Sequence, residues 1–312
     1  MENQIQEFVK KRKNLFGENP IVEKVNVGFT NTIYSINDEY ILKICTNMDN
    51  EENFQKEINF YLKNKNNSYI PKLIEESTEK KELPYNYEIL EKVEGVSLFH
   101  IWHKLKESER EDIIRQLSVA LKEFHKEKGK PYDWCEYQKQ IFQEAYQKAL
   151  ENGSLTSEQS DIIEDAYARF DEFLGENKDF SFLHNDLHFD NIFYHNGTIK
   201  IIDFERAIFA PLDFELDIIY RMTRKPWKYA SEETEPYTKY EDYQTIMPYL
   251  KKYDEELFTH PYLKQRLDIY DMVYYMRNLV EYPKNEELKE DIINASKRLL
   301  GGLQNEKNDY RR

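Results

Sequence analysis

The chain has 312 residues, 40% of them hydrophobic, so it can bury the core of one large domain or two smaller ones. The net charge of -15, with Lys and Arg largely interspersed among acids, argues against nucleic acid as a partner. A mean hydropathy of -0.84, with no apolar run near the roughly 20 residues that a spanning helix needs, argues against a membrane protein. The acidic balance suits a cationic partner.

The N-terminal segment and the cysteines indicate a reducing compartment. Residues 1–16 are charged and helical in pattern, and they lack the apolar core of a signal peptide. Cys45 and Cys135 stand far apart without zinc spacing, which favours buried free thiols. We therefore expect a cytoplasmic protein.

The first part of the chain is predicted to be strand-rich with one helix. Residues 22–37, 39–45 and 87–93 are typical of strands, with alternating apolar and polar residues or many β-branched and aromatic side chains. Residues 50–64 are typical of a helix, because apolar side chains recur on one stripe. The members of this stripe are Phe54, Ile58, Tyr61 and Leu62.

After residue 95 the pattern becomes mostly helical. Two capping-box signatures precede runs of apolar residues at helical spacing. They are Ser108 with Glu111, and Thr156 with Gln159. The second run extends to Gly175, a predicted helix end. Residues 180–207 return to short strands with a tight turn at Asn196-Gly197, and helical patterning resumes at Asp213.

A run of polar side chains framed by apolar ones, LHNDLHFDN, occupies residues 183–191. Asn191 follows Asp186 by five residues and precedes Asp203 by twelve, with the predicted hairpin in between. A hairpin brings its ends together, so Asn191 and Asp203 can offer the hard oxygen ligands that suit magnesium. Asp186, close to them but outside the metal shell, can accept a proton from a hydroxyl group. Phosphoryl transfer commonly uses this arrangement.

Phosphoryl transfer also requires a basic residue upstream. A lysine from an early strand, paired with an acid on the next helix, contacts nucleotide phosphates beneath a flexible loop. Lys43 lies in a predicted strand, Glu57 follows 14 residues later in the predicted helix, and residues 27–36 stand where the loop is expected. Glu51 and Glu52 are rival partners for Lys43, but they lie at the helix start, where acids favour the dipole.

These segments together resemble the aminoglycoside phosphotransferase family, the antibiotic and small-molecule kinases that share the protein-kinase-like fold. The family motif His-Gly-Asp-Leu-His-x-x-Asn resembles residues 184–191, and its Ile-Asp-Phe/Trp-Glu/Gly motif resembles residues 202–205. Its phosphate loop, Gly-x-Thr/Ser-Asn-x-x-Tyr, resembles residues 28–34. Its lobe connection, which ends in an acidic residue and Gly, resembles residues 90–95. The resemblance covers residues from about 25 to 220.

The resemblance implies a two-lobed α+β fold of the protein-kinase type. A strand-rich nucleotide-binding lobe would span residues 1–92. A mostly helical lobe, with the catalytic hairpin and the substrate site, would span residues 93–312. Within the second lobe Asp186 would be the catalytic base, and Asn191 with Asp203 would bind Mg²⁺.

The remaining implied roles concern the nucleotide, which is ATP or GTP. Lys43, held by Glu57, would contact its phosphates, and Thr30 with Asn31 would lie over them. Backbone groups of the lobe connection would hydrogen-bond the purine. The nucleotide-binding residues implied in this way are Thr30, Asn31, Lys43, Glu57, Glu91 and Val93.

The sequence departs from the family pattern in four places. Asn185 replaces the usual Gly, and Phe189-Asp190 replaces the common Pro-Gly. The phosphate loop has one glycine, Gly28, so it is not the Gly-rich loop of protein kinases. Either Glu215 or Asp217 stands where the family often has an Asp that braces the catalytic loop.

Three functions compete for this pattern. A small-molecule kinase fits every segment named above. A protein kinase of this fold has a Lys two residues after the catalytic Asp, where this chain has His188, and an Ala-Pro-Glu segment that is absent after Asp203. A non-catalytic nucleotide sensor usually lacks the Asp or the Lys, and this chain has both. His184 is interpreted as structural, and the role of His188 is left open.

The substrate is the least determined part. Members of the family phosphorylate aminoglycosides, macrolides, choline, homoserine, and sugars or amines, and we favour an aminoglycoside. Acids of the helical part either face such a cationic substrate or are solvated helix faces: Glu232, Glu233, Glu235, Glu241, Asp242, Asp254, Glu255 and Glu256. The sequence does not distinguish ATP from GTP, and it does not indicate the oligomeric state.

Overall fold

The computed structural model describes residues 1–25, 31–175, 177 and 179–301. Its α-helices, in chain order, are α1 (Glu2–Lys10), α2 (Lys13–Phe16), α3 (Glu51–Lys63), α4 (Leu98–Ile101), α5 (Glu107–Phe124), α6 (Trp134–Glu151), α7 (Ser157–Tyr167), α8 (Phe170–Leu174), α9 (Leu216–Arg224), α10 (Tyr240–Tyr243), α11 (Ile246–Tyr253), α12 (Leu263–Glu281) and α13 (Glu286–Leu299). Its strands are β1 (Val22–Val25), β2 (Thr32–Ile36), β3 (Tyr40–Ile44), β4 (Leu73–Ser77), β5 (Tyr87–Glu91), β6 (Val96–Ser97), β7 (Ser181–Leu183), β8 (Ile192–His195), β9 (Thr198–Ile201) and β10 (Ile208–Ala210).

The chain forms two compact units, and each is described by itself. Unit 1 consists of Met1–Lys104 and His188–Ala207, and unit 2 consists of Leu105–Leu187 and Ile208–Arg312. Unit 1 thus continues beyond residue 92 and takes in the hairpin of the polar cluster. The lobe boundary placed at residue 92 from the sequence remains a prediction.

Unit 1 is built on an antiparallel sheet with the strand order β1-β2-β3-β5-β4. The hydrophobic face of α1 covers part of this sheet, where the rings of Phe8 and Tyr87 lie 4.8 Å apart edge to face. The predicted strand segments 39–45 and 87–93 contain β3 and β5, and the segment 22–37 contains β1 and β2, with residues 26–30 of it outside the described residues. On α3, Phe54, Ile58 and Tyr61 of the predicted stripe are buried.

A smaller sheet of unit 1, with the order β6-β8-β9, carries the end of the polar cluster. The predicted turn at Asn196-Gly197 joins β8 to β9, and both residues have positive φ, 45° and 83°. Two consecutive residues in this region match the right-handed twist of a hairpin. The short loop fixes the register, so Ile192 pairs with Ile201 at the open end of the hairpin.

Unit 2 is mostly helical, with α12 packed on α6 and α13, and it contains the β7–β10 pair. The predicted cap at Thr156 is confirmed, because its hydroxyl accepts the Gln159 N–H at 3.2 Å and the Gln159 side chain accepts the Thr156 N–H at 2.9 Å. The apolar run that follows is broken, however, since α7 ends at Tyr167 and α8 begins at Phe170. Gly175 ends α8, at φ 36°.

The capping box predicted at Ser108 and Glu111 is wrong. The helix α5 begins two residues earlier than predicted, at Glu107, after Lys106 in an extended conformation. The Glu109 carboxylate accepts the Lys106 N–H at 2.9 Å and thereby caps the helix. Glu109 takes the place predicted for Glu111 because it is two residues closer to Lys106, so its carboxylate reaches the unpaired Lys106 N–H.

Neither the helices nor the cysteines of the described residues suggest a membrane or disulfide role. No helix in residues 1–25, 31–175 and 179–301 is both long and apolar enough to cross a bilayer. Cys45 and Cys135 are buried free thiols, as expected from the sequence. Burial raises the pKa of the Cys45 thiol to about 11 and that of Cys135 to about 12, so both remain protonated and unreactive at neutral pH.

Candidate active site

A buried lysine lies at the centre of a carboxylate cluster in unit 1. The Lys43 ammonium on β3 is 2.5 Å from Glu57 Oε2 on α3, and both side chains are buried. Asp203 Oδ1 lies 3.0 Å from the same ammonium, and Glu205 Oε2 lies 3.2 Å from it. Burial alone lowers the pKa of Lys43, but the facing carboxylates of Glu57 and Asp203 outweigh it and raise the pKa well above its usual value. The lysine is therefore a fixed positive charge.

Glu57 joins this lysine to the segment that follows β9. Its second oxygen, Oε1, accepts the backbone N–H of Phe204 at 3.2 Å. The Phe204 ring stacks on Phe60 of α3, with 4.0 Å between ring centroids, and meets Tyr61 edge to face at 5.8 Å. The apolar residue in the Ile-Asp-Phe-Glu motif therefore anchors the segment, so that the acids on either side of it reach Lys43.

Asp203 has a left-handed backbone conformation, with φ 65°. A non-glycine residue in this region is uncommon, although Asp and Asn tolerate it better than others, and such strain clusters at functional sites. The Asp203 side chain is 44% exposed, while the side chain of Glu57, which contacts the same lysine, is 1% exposed. Of these two acids, Asp203 is thus the one whose carboxylate remains accessible to solvent.

The β8–β9 hairpin brings Asn191 next to the segment that carries Asp203. The Ile202 N–H donates to the Asn191 carbonyl at 3.0 Å. The buried Asn191 side chain contacts the ring of His188 through its amide nitrogen, with 3.3 Å between Nδ2 and Nε2. The other ring nitrogen of His188, Nδ1, accepts the Asp190 N–H at 3.3 Å. His188, whose role was open, therefore contacts both Asp190 and Asn191.

The donor set of these residues fits a hard divalent cation. Oxygen atoms of Glu57, Asp203 and Glu205 all lie within 4.8 Å of one another. Carboxylate oxygens and an Asn carbonyl are the ligands that Mg²⁺ accepts, usually one or two from the protein with water and phosphate completing the octahedron. The three carboxylates are therefore suited to Mg²⁺ in chemical type and in proximity.

Glu205, to which the sequence motifs assigned no role, lies inside the cluster. Its buried carboxylate accepts the Asn50 side-chain N–H at 2.5 Å and also accepts an N–H of the Asn31 side chain. Asn31, predicted to lie over the phosphates, thus contacts Glu205. The one available signal was the Asp-x-Glu spacing around the apolar anchor Phe204. Thr30, together with Gly28, lies outside the described residues.

Glu88 on β5 is a second acid that the sequence analysis missed. It is directly opposite Lys43 in the β3–β5 register, and opposite residues of an antiparallel pair share a face. Its exposed fraction is 0%, and neither carboxylate oxygen has a hydrogen-bond partner among the described residues. Burial, together with the neighbouring charge of Glu57, raises the pKa of Glu88 well above its usual value. The signal was an acid between Tyr87 and Ile89 inside a predicted strand.

The loop that carries Asp186 lies in unit 2 and is held by Glu215. Glu215 Oε2 accepts the His184 N–H at 3.0 Å, and Oε1 accepts the Asn185 N–H at 3.4 Å. The Asp186 N–H donates to Nδ1 of the buried His184 at 3.2 Å, which supports the structural interpretation of that histidine. Glu215 therefore braces the loop. Asp217 does not, since it pairs with Arg221, 2.8 Å from Nη2.

Asn185, the residue that replaces the usual Gly, has a left-handed conformation at φ 60°. Glycine reaches this region without strain, and Asn is among the few other residues that enter it readily. The replacement therefore preserves the turn that presents Asp186.

The lobe connection contains the backbone groups predicted to bind a purine. Glu91 ends β5, and its N–H donates to the Lys72 carbonyl at 2.9 Å. Because that N–H is already paired, the predicted contact of Glu91 with the purine would have to come from its backbone carbonyl. Gly95 is at φ 94°, and a Cβ there would lie 2.2 Å from the Tyr194 carbonyl oxygen. The acidic-Gly pair thus ends in glycine because β8 passes against its backbone. Val93, the second residue predicted to contact the purine, lies between Glu91 and Gly95 in the chain.

The acids considered for substrate binding divide into two groups. Asp242 pairs with Arg110 at 2.9 Å, and Asp254 is buried, so both have roles inside unit 2. The other acids of the set are on the surface: Glu232, Glu233, Glu235, Glu241, Glu255 and Glu256.

The strand-rich unit with its lysine and carboxylate cluster, and the braced loop of the second unit, define a phosphotransferase of kinase-like fold. The model of the family described as "Phosphotransferase enzyme family" (APH) matches residues 21–245, so the chain belongs to this family. The resemblance inferred from the motifs is confirmed. A search of the curated proteins found no match.

Solved structures similar to this chain are aminoglycoside phosphotransferases. ADP-bound APH(2'')-Ib has a TM-score of 0.67 and 16% identity, with 96% of this chain and 99% of that chain covered. The ternary complex of APH(2'')-IIa with streptomycin and ATP has a TM-score of 0.66 and 16% identity, with 96% and 98% covered. A thermostable APH(4)-Ia mutant with AMP-PNP and hygromycin B has a TM-score of 0.61 and 15% identity, with 96% and 97% covered. At these identities the likeness shows the fold, and the predicted α+β kinase-like fold is confirmed.

Proposed function

We propose that the protein is a small-molecule kinase that transfers the γ-phosphate of ATP or GTP to a hydroxyl group. The observation that carries this proposal is the buried Lys43 ammonium held between Glu57 and Asp203. A strand lysine fixed by a helix acid is the part of the phosphoryl-transfer machinery that grips nucleotide phosphates. The protein is expected in the cytoplasm, where both nucleotides are present.

The residues of unit 1 bind and orient the nucleotide in this proposal. Lys43 contacts its phosphates, and Thr30 with Asn31 lies over them. Asn191 and Asp203 hold Mg²⁺, which when bound neutralises charge on the phosphate oxygens. Backbone groups of the lobe connection hydrogen-bond the purine, through the Glu91 carbonyl and the Val93 backbone.

Asp186 accepts the proton of the attacking hydroxyl in this proposal. A carboxylate in hydrogen-bond reach of that hydroxyl raises its nucleophilicity as the oxygen–phosphorus bond forms. The support is local, since Asp186 follows two residues whose N–H groups are held by Glu215. Most of the catalytic effect of such a site comes from positioning and charge, so a loop fixed in this way matters as much as the base itself.

The acceptor we propose is a cationic polyol of the aminoglycoside type. A chain with net charge -15 attracts such a substrate through its long-range field. Similar structures contain streptomycin, gentamicin or kanamycin. Other acceptors of the family remain alternatives: macrolides, choline, homoserine and simple sugars. If the substrate is an aminoglycoside, the reaction confers antibiotic resistance.

The test is release of ADP or GDP by the purified protein with Mg²⁺, either nucleotide, and a panel of these acceptors. We expect one acceptor class to stimulate release, and Asp186→Asn to abolish that stimulation while nucleotide binding is retained. Asp203→Ala should weaken Mg²⁺-dependent nucleotide binding as well. The matched control is Asp179→Asn, an exposed acid of unit 2 with no assigned role, which should behave as the wild type.

Two outcomes contradict the proposal. Nucleotide binding without turnover on any acceptor would favour the alternative, a non-catalytic nucleotide sensor. Wild-type turnover in both Asp186→Asn and Asp203→Ala would refute the assignment of the base and of the metal ligand.

A further inference from the structure

The carboxylate of Glu205 joins two asparagines that are far apart in the sequence. Its Oε1 accepts an N–H of the Asn50 side chain at 2.5 Å, and its Oε2 accepts an N–H of the Asn31 side chain. Asn31 directly precedes β2, Asn50 directly precedes α3, and Glu205 follows β9. Glu205 is 6% exposed and Asn50 is 9% exposed, so this connection is inside unit 1.

Asn50 holds Glu205 instead of capping its own helix. It occupies the N-cap position of α3, where an Asn side-chain oxygen usually accepts a backbone N–H of the first turn. Its side chain makes no such cap bond. The side-chain oxygen accepts an N–H of Asn53 at 3.2 Å, and the nitrogen donates to Glu205. The contact with a carboxylate from a distant segment therefore replaces a local contact that the helix start offers.

The chemistry of Glu205 fixes the orientation of the Asn31 amide. An ionised carboxylate only accepts hydrogen bonds, so the Asn31 side chain must face Glu205 with its nitrogen. Nucleotide phosphates also accept only. Because an amide nitrogen carries two hydrogens, one can be held by Glu205 while the other donates to a phosphate oxygen. The contact thus turns the donor of Asn31 toward the cluster that contains Lys43.

Helix α3 holds the segment of Glu205 at two points. Glu57 accepts the Phe204 N–H, and Asn50, seven residues earlier, donates to Glu205. Two neighbouring residues of one segment are therefore tied to the same face of the helix start, two turns apart. Since Glu205 in turn holds Asn31, the position of α3 is transmitted to the predicted phosphate loop.

We infer that Glu205 and Asn50 are positioning residues of the phosphotransferase: together they hold the Asn31 amide toward the nucleotide phosphates and tie the phosphate loop to α3. The inference deepens the proposed function and rests on nucleotide binding by unit 1. Its structural part, that Asn50 and Glu205 order Asn31 in the nucleotide-free protein, does not.

The experiment reverses the donor and the acceptor of one contact. In Asn50→Asp two carboxylates face each other, so the contact is lost, although Asp is as good an N-cap as Asn. In the double variant Asn50→Asp with Glu205→Gln, the Gln nitrogen donates to the new carboxylate and the Gln oxygen still accepts from Asn31. Amide hydrogen exchange of a peptide that covers residues 31–36, in the full chain without nucleotide, reports the order of this segment. We expect at least tenfold faster exchange in Asn50→Asp and near wild-type exchange in the double variant.

The control is Asn64→Ala, which removes a side-chain hydrogen bond to the Phe60 carbonyl at the other end of α3. It should lower thermal stability without changing exchange at residues 31–36. Unchanged exchange in Asn50→Asp would overturn the inference, and so would a double variant that exchanges as fast as Asn50→Asp. If Asn50→Asp does not fold, Asn50→Leu takes its place, because it lacks the donor without adding a charge.

The second readout is the affinity for ADP and GDP, measured by calorimetry over a range of Mg²⁺ concentrations. We expect Asn50→Asp to weaken binding at least tenfold, by the same factor at each Mg²⁺ concentration, and the double variant to recover the affinity. A loss that disappears at high Mg²⁺ would mean that Glu205 acts by holding the metal, which would overturn the inference. If the wild type binds neither nucleotide but the exchange pattern is observed, the proposed function fails and the ordering of Asn31 by Glu205 and Asn50 stands.

Discussion

Glu57 holds Lys43 with one carboxylate oxygen and the backbone N–H of Phe204 with the other, at 2.5 Å and 3.2 Å. One side chain of α3 thereby sets the position of the buried lysine and of the segment that carries Asp203. The lysine is in contact with three carboxylates, so its single positive charge leaves an excess of negative charge in the cluster. The first prediction follows from this imbalance.

Replacing the cluster lysine should create a requirement for a cation. In Lys43→Met the buried carboxylates lose their positive partner, and breaking a buried pair costs about 3–5 kcal/mol. Mg²⁺ that binds these carboxylates should recover part of this loss, so it should raise the Tm of Lys43→Met more than that of the wild type. The control is Lys56→Met, a surface lysine of α3 that pairs with Glu52. Equal Mg²⁺ responses in the variant and the wild type would contradict the prediction.

The buried Glu88 should make stability fall as the pH rises. Its native pKa is raised well above the unfolded value of about 4.3, so between these two pH values the native state binds more protons than the unfolded state. The free energy of unfolding therefore decreases from about pH 4.3 upward until the raised pKa is passed. Glu88→Gln, which mimics the protonated acid, should remove this slope and gain more stability at pH 8 than at pH 5.

Denaturant unfolding at several pH values measures this effect. Glu23→Gln, at an exposed position of β1, provides the control and should leave the slope as it is in the wild type. A Glu88→Gln variant that keeps the wild-type slope would mean that Glu88 is not the group responsible.

Gly95→Ala should disturb the connection after β5. The new Cβ would lie 2.2 Å from the Tyr194 carbonyl oxygen, a distance at which the backbone must shift. Gly153→Ala is a matched control, because Gly153 also has positive φ but has open space around it. Both variants should lose about 1–2 kcal/mol from the left-handed conformation. Gly95→Ala should lose more and also weaken nucleotide binding, whereas equal losses would refute the close contact.

Position 185 should accept glycine and reject β-branched residues. At φ 60° Asn185→Gly should be close to neutral, while Asn185→Val should cost at least about 1–2 kcal/mol and slow phosphoryl transfer, because Asp186 is the next residue. Asn152→Val tests the same substitution at a φ of -77° and should have little effect. Thermal melts and turnover together decide this prediction, and a stable, active Asn185→Val would contradict it.

Features that depend on a few neighbouring residues were predicted correctly from the sequence. The contact between Lys43 and Glu57 was predicted from strand and helix signals together with their spacing. The Asn196-Gly197 turn was predicted from the conformational preference of these two residues. The cap at Thr156 was predicted correctly for the same reason. The cap at Ser108 was not, because a second acid, Glu109, competes for the same helix start.

What only the tertiary structure decided are the contacts between segments distant in the sequence. Glu205 reaches Lys43 because Phe204 is buried on α3, and Glu88 faces Lys43 because β5 pairs with β3. The choice of Glu215 over Asp217 depends on which side chain is directed at the backbone of residues 184 and 185. By itself, the sequence determined the fold class, the motifs and their order, because local conformational preference and hydrophobic periodicity are encoded over a few residues. The partners of each buried charge depend on packing, which no local pattern records.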